Sequence, residues 1–159
     1  MKIIVFSDSH GNYAPMSDAV FDEKPDMAIF LGDGLSDADE LERAYPSLKV
    51  EKVRGNSDFF SHGRTILCEV FDGVKIYAVH GHTHCVKEGM SCLVSYAKAE
   101  KAALALFGHT HIAVLKDDDG ITVMNPGSIG YGHTYGVINT SDGNFTCELK
   151  TIRFYNRNS

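Results

Sequence analysis

The chain has 159 residues, 43% of them hydrophobic, which is enough for a single domain spanning 1–159 with a core that needs no staple. Its formal charge of −6, from 15 Lys and Arg against 21 Asp and Glu, argues against a surface for long nucleic acid, because affinity that ignores base identity comes mostly from cations facing phosphates. The four cysteines, Cys68, Cys85, Cys92 and Cys147, are scattered without a C-x-x-C pair. The apolar opening ends at Ser7-Asp8 with no cleavage site behind it, so the chain reads as cytoplasmic, with reduced thiols and no transmembrane segment.

Ile3 to Phe6 reads as a first strand, followed by a helix from about Tyr13 to Asp22 that Lys24-Pro25 ends, since proline favours an extended residue before it. Met27 to Leu31 is a second strand. Ser36 or Asp37 can cap a helix running to about Ala44, which Pro46 stops. Val50 to Val53 is a weaker strand, and Cys68 to Phe71 with Val74 to Val79 reads as a hairpin whose Asp72-Gly73 turn needs positive φ. Gly89 to Glu100 carries Met90, Leu93, Val94 and Ala97 on one helical face, and Ala103 to Phe107 is a further strand. Ile112 to Leu115, an Asp117 to Gly120 turn, Ile121 to Met124, Tyr135 to Ile138 and Phe145 to Ile152 complete the chain with hairpins. Early β-α-β units followed by hairpins fit an α/β fold with one mixed sheet, or two packed sheets with helices outside.

Just past successive strands come Asp8 and His10, Asp33, Asn56, His80, and the pair His109 and His111. In layered α/β folds the carboxyl ends of strands are where sites are built. Two divalent ions about 3.5–4 Å apart need a bridging carboxylate to screen their repulsion, and Asp33, flanked by Gly32 and Gly34, is the candidate bridge. Asp8 and His10 should alternate on extended backbone and so point to one side. Imidazole nitrogens suit manganese, nickel, iron or zinc better than magnesium or calcium. Taken singly, each of these residues has an ordinary use at a turn; five turns supplying ligand types in this order is a far narrower coincidence. A Cys85 thiolate would clash with the hard oxygen set.

Asp8-Ser9-His10, Gly32-Asp33-Gly34, Gly55-Asn56-Ser57-Asp58, His80-Gly81-His82 and Gly108-His109-Thr110-His111 together resemble the five blocks of the calcineurin-like metallophosphoesterases. The short spacing and Asn125-Pro126-Gly127-Ser128 resemble the small YfcE-like phosphodiesterase branch. The resemblance implies two packed mixed β-sheets flanked by helices, an α-β-β-α sandwich. It also implies Asp8, His10 and His111 on one metal, Asn56, His80 and His109 on the other, and Asp33 shared. The implied reaction is hydrolysis of a small phosphate ester, in which a metal-held hydroxide attacks phosphorus and manganese is the preferred ion; Asp33, Asn56 and His80 are the candidate catalytic residues.

Two departures stand out. Many members of the family carry histidine after the third-block asparagine, where this chain has Ser57, and Gly-His-Thr-His occurs twice, at Gly81–His84 and Gly108–His111. The later copy follows its own strand and leaves His80 free, so it is assigned to the fifth block. His82 then divides between a phosphate contact and a plain loop histidine, while His84 reads as plain. Arg54 either meets phosphate or pairs with Asp58; Asn12 either caps a helix or touches substrate. His62 and His133 read as solvated, in the second case on a glycine-rich loop that could border the pocket. A homo-oligomer is left open. The alternative from another class is a non-catalytic protein-binding scaffold on the same fold, as in a retromer subunit, where the resemblance implies degraded ligation.

Overall fold

In the computed structural model, which describes residues 1–154, the apolar runs become strands, and the central ones are covered on both faces. The elements in order are β1 (Lys2–Phe6), α1 (Ala14–Glu23), β2 (Met27–Phe30), α2 (Leu35–Ala44), β3 (Lys49–Lys52), β4 (Ile66–Phe71), β5 (Val74–Val79), a 3-10 turn at His82–His84, α3 (Ser91–Ala99), β6 (Leu104–Leu106), β7 (Val114–Asp118), β8 (Ile121–Asn125), β9 (Thr134–Ser141) and β10 (Asn144–Thr151). One five-stranded sheet has the order β10-β9-β1-β2-β3 and the other β4-β5-β6-β8-β7. Each is mixed: β1, β2 and β3 run parallel, as do β5, β6 and β8, whereas β1 with β9, β9 with β10, β4 with β5 and β7 with β8 are antiparallel.

The period of two along each strand divides the core into three layers. Ile3, Val5, Ile29, Ile76, Ala78, Leu104 and Leu106 pack between the sheets. Their neighbours Ile4, Phe6, Ala28 and Phe30 face the other way, onto Met16, Ala19 and Val20 of α1 and Ala38 and Leu41 of α2. On the second sheet, Tyr77, Val79, Ala105 and Phe107 meet Leu93, Val94 and Ala97 of α3. Burying one such Val, Leu, Ile or Phe contributes about 1.5–3 kcal/mol. Strands buried on both faces read as unbroken apolar runs, which is why the sequence shows them so plainly.

Several local expectations are corrected. Lys24, before Pro25, is left-handed (φ 48°) rather than extended, and its N–H closes α1 on the Val20 carbonyl. Neither Ser36 nor Asp37 caps α2; Gly34 occupies that position and the capping carboxylate comes from Asp58, across the fold. The turn after β7 is only Asp119-Gly120, because Asp117 and Asp118 stay paired with β8, and β7 begins at Val114 rather than Ile112. Asp72-Gly73 does turn at positive φ, 48° and 80°. No described helix is long and apolar enough to cross a membrane.

Candidate metal centre

Parallel strands β1, β2 and β3 of one sheet and β5 and β6 of the other point their carboxyl ends at the same place. The loops leaving them are laced by backbone hydrogen bonds from Asp8 N–H to Gly32 O (3.0 Å), His10 N–H to Asp33 O (3.1 Å) and Gly108 N–H to His80 O (2.8 Å). Such lacing needs close backbone approach. A Cβ on Gly108 would lie 1.9 Å from the Ser7 hydroxyl, and one on Gly55 would lie 2.1 Å from Asp33 Oδ1, so both positions exclude any side chain.

Asp8, His10 and His111 bring their ligand atoms within 4.8 Å of one another, and Asp33, His80 and His109 do the same. Asn56 adds its Oδ1 at 3.0 Å from His80 Nε2. Asp33 Oδ2 lies 3.4 Å from His80 Nε2 and 3.8 Å from His10 Nε2, so this carboxylate faces both groups. Neither group includes a cysteine, and all four cysteines are unpaired. The backbone here differs from the alternating extended segment expected of Asp8 and His10. Asp8 (φ 55°), His10 (46°), Asp33 (61°), His109 (69°) and His111 (61°) are all left-handed.

The carboxylates are held from behind. Asp8 Oδ2 accepts from the Ser7 hydroxyl (2.5 Å) and the His109 N–H (3.0 Å). Its Oδ1 is buried and has no hydrogen-bond partner among the described residues, although His111 Nε2 stands 3.2 Å away. A buried carboxylate oxygen in that condition costs free energy unless a cation meets it. His10 and His111 likewise turn their Nε2 atoms toward each other at 3.2 Å, an arrangement that a shared cation would satisfy. The oxygen and imidazole donors therefore fit divalent metal ions of the borderline kind.

His80 donates from Nδ1 to the Leu31 carbonyl at 2.8 Å, which leaves Nε2 facing Asp33 and Asn56 with a lone pair to offer. Burial pulls its pKa down, but Asp33 and Asp8 outweigh that and raise it. Burial pushes Asp33 up; hydrogen bonds from His80 and from Ser57 prevail and hold its carboxyl well below the usual range. His109 is lowered by burial and then by His80.

The remaining candidates separate. His82 is exposed and its ring lies tilted beside those of His80 and His109, at centroid distances of 5.5 and 6.2 Å. Burial, then the charges of His80 and Arg54, lower its pKa. His84, from the first Gly-His-Thr-His, is buried away from the ligands between the Tyr77 hydroxyl and Thr83, both at 2.9 Å. Arg54 does not pair with Asp58. Its guanidinium donates to the Ser61 carbonyl (2.8 Å), while Asp58 accepts from the N–H groups of Asp33, Gly34, Leu35 and Gly55. Asn12 does not cap α1; its side-chain amide donates to the Gly130 carbonyl at 2.9 Å. His62 is exposed, but His133 is half-buried with its ring 5.2 Å from Phe154.

Sequence reading missed three supports. Tyr131, not His133, borders the centre, with its ring 5.4 Å from His10 and 5.7 Å from His111. Asn125 ties the fifth-block loop through the Gly108 carbonyl and the Thr110 hydroxyl, and Ser128 donates to the Asp8 carbonyl. The buried Asn-Pro-Gly-Ser segment was the available signal for the last two.

The model of the calcineurin-like phosphoesterase superfamily domain matches residues 1–143. The chain belongs to that superfamily. A probable metallophosphoesterase of Bacillus subtilis, YsnB, is 30% identical over 99% of this chain and 92% of its own. The solved structure of a conserved Streptococcus pneumoniae protein, described as a predicted phosphoesterase, is 28% identical, with a TM-score of 0.77 over 94% of this chain and 88% of that one. Two more distant structures show the same fold: Yfce, a phosphoesterase from E. coli (19% identical, TM-score 0.67, covering 96% and 100% of the two chains), and Zn2+-complexed Vps29 from Entamoeba histolytica (18%, 0.76, 96% and 100%).

Proposed function

We propose that this phosphoesterase is a metal-dependent phosphodiesterase of small esters, with Asp8, His10 and His111 holding one divalent ion, Asn56, His80 and His109 a second, and Asp33 shared between them. The observation that carries this reading is the buried, unpartnered Oδ1 of Asp8 facing an imidazole nitrogen. Ions held there would supply Lewis acidity toward phosphoryl oxygens and a nucleophile at neutral pH. The chain's own work is positional. Ser7 and the His109 N–H aim Asp8; the Leu31 carbonyl fixes the His80 tautomer; Ser57 orients Asp33. His82 stands at the rim, where it can meet a phosphoryl oxygen. Manganese, with nickel, iron or zinc as substitutes, suits this mixture of oxygen and imidazole donors. The four unpaired cysteines are consistent with a reducing compartment, the cytoplasm.

The test is turnover of bis(4-nitrophenyl) phosphate by the purified protein before and after chelation, with manganese or nickel added back. Chelation should abolish turnover and either metal should restore it. Binding of metal with no turnover of any mono- or diester after reconstitution would instead favour a protein-binding scaffold on the same fold.

A further inference from the structure

Beside the centre, a cavity of about 670 Å³ opens between α2, β3 and the loop that follows it, within the usual range of ligand pockets, roughly 300–1,000 Å³. Ser57 is one of its lining residues and hydrogen-bonds Asp33, so the cavity adjoins the candidate centre. Phe59 and Phe60 lie along it and are 80% and 99% exposed. Two adjacent phenylalanines left in water forgo the stabilisation that burial gives, and ring-bearing ligands recover it.

The charged groups lining this cavity are engaged, with one exception. Lys52 pairs with Asp39 and Glu42, Arg64 with Glu51 and Glu69, and Asp58 accepts four backbone N–H groups. Arg54 has only the Ser61 carbonyl; no carboxylate pairs with it among the described residues. Arg54 lines the cavity together with Ser57, the residue that hydrogen-bonds Asp33. A planar guanidinium with donors to spare is suited to grip phosphate or carboxylate.

We infer that this cavity receives the organic arm of the ester when that arm carries an aromatic ring and a second anionic group, the ring lying against Phe59 and Phe60 and the anion on Arg54. The inference rests on the phosphoesterase reading for where the scissile phosphate sits; recognition in the cavity does not depend on turnover.

The probe is 4-nitrophenyl thymidine 5′-phosphate with and without a 3′-phosphate, assayed with the metal-loaded protein. The added phosphate should raise kcat/KM about tenfold, the scale of one charge-assisted contact, and Arg54→Gln should erase that preference. The double variant Phe59→Ala, Phe60→Ala should lower kcat/KM for both nucleotide esters about tenfold relative to methyl 4-nitrophenyl phosphate in the same protein. A wild-type preference below about twofold, or one that survives Arg54→Gln, overturns the inference. Calorimetry of thymidine 3′,5′-bisphosphate binding separates the two readings. Binding that weakens in Arg54→Gln, in a protein that turns over no ester, keeps the cavity and removes the phosphoesterase; turnover of the small ester without such binding does the reverse.

Discussion

Ser57 grips both oxygens of Asp33, its N–H on Oδ1 at 2.8 Å and its hydroxyl on Oδ2 at 3.1 Å. Ser57 therefore works on the carboxylate that faces both candidate ligand groups. Ser57→Ala keeps the backbone contact and loses the hydroxyl. Groups that orient metal ligands typically contribute about 10–100-fold in affinity, so manganese binding measured by calorimetry should weaken by roughly tenfold. An unchanged affinity would mean that the backbone N–H alone holds Asp33.

With its hydroxyl engaged, Ser57 is poorly placed to protonate a departing oxygen. A positioned general acid contributes about 10²–10⁴-fold, and phenolates need that help least. The rate should fall steeply as the leaving-group pKa rises across a series of aryl and alkyl diesters, and the slope should flatten in Ser57→His at equal metal content. A shallow slope in the wild type would reveal a donor already in place, with His82 the first residue to examine.

The two Gly-His-Thr-His copies should part company on substitution. His111→Ala removes a member of the candidate ligand set and should cost most of the bound metal and most of the activity. His84→Ala should retain both and lose stability instead, by about 1–3 kcal/mol, because it strands the hydroxyl of the buried Tyr77. Metal analysis together with urea unfolding distinguishes the two outcomes. Equal metal loss from both variants would reverse the block assignment.

Glu23 gives the fold an acid-sensitive tie. Burial pushes its pKa up, but Lys150, Tyr135 and Lys2 outweigh burial and lower it. A carboxyl with a depressed folded pKa contributes stability above its unfolded value, and that contribution is lost as pH falls through the folded value. Glu23→Gln should thus be less stable than wild type by about 1–2 kcal/mol at pH 7, with the gap closing below about pH 4.5, the ordinary value for Glu. Chemical denaturation across that range measures the gap; one that stays constant with pH would show that packing, not charge, is what the substitution removes.

The central strands were legible because both of their faces are buried, and the candidate ligand residues were legible because their donor chemistry recurs at strand ends. Local backbone was less so. Asp8 and His10 read as extended because alternation is the simplest way to align two side chains, yet left-handed backbone at both achieves the same convergence, and Asp and His tolerate that region better than most residues. The cap of α2 was invisible for another reason. Asp58 reaches Gly34 and Leu35 through the tertiary fold, and no local pattern announces a cap supplied from a distant loop. The same holds for Tyr131, which lies in the loop flagged for His133 but turns the other ring toward the centre.

The left-handed backbone at Asp8, His10, Asp33, His109 and His111 has an evolutionary consequence. Each such non-glycine residue costs about 1–2 kcal/mol relative to a relaxed backbone, and glycine at any of the five would relieve it while deleting a donor. Selection for folding and selection for ion binding therefore pull these positions in opposite directions. A lineage released from hydrolysis would gain robustness by shedding donors at these turns, without disturbing either sheet, and the surface left behind would be free to acquire a protein partner.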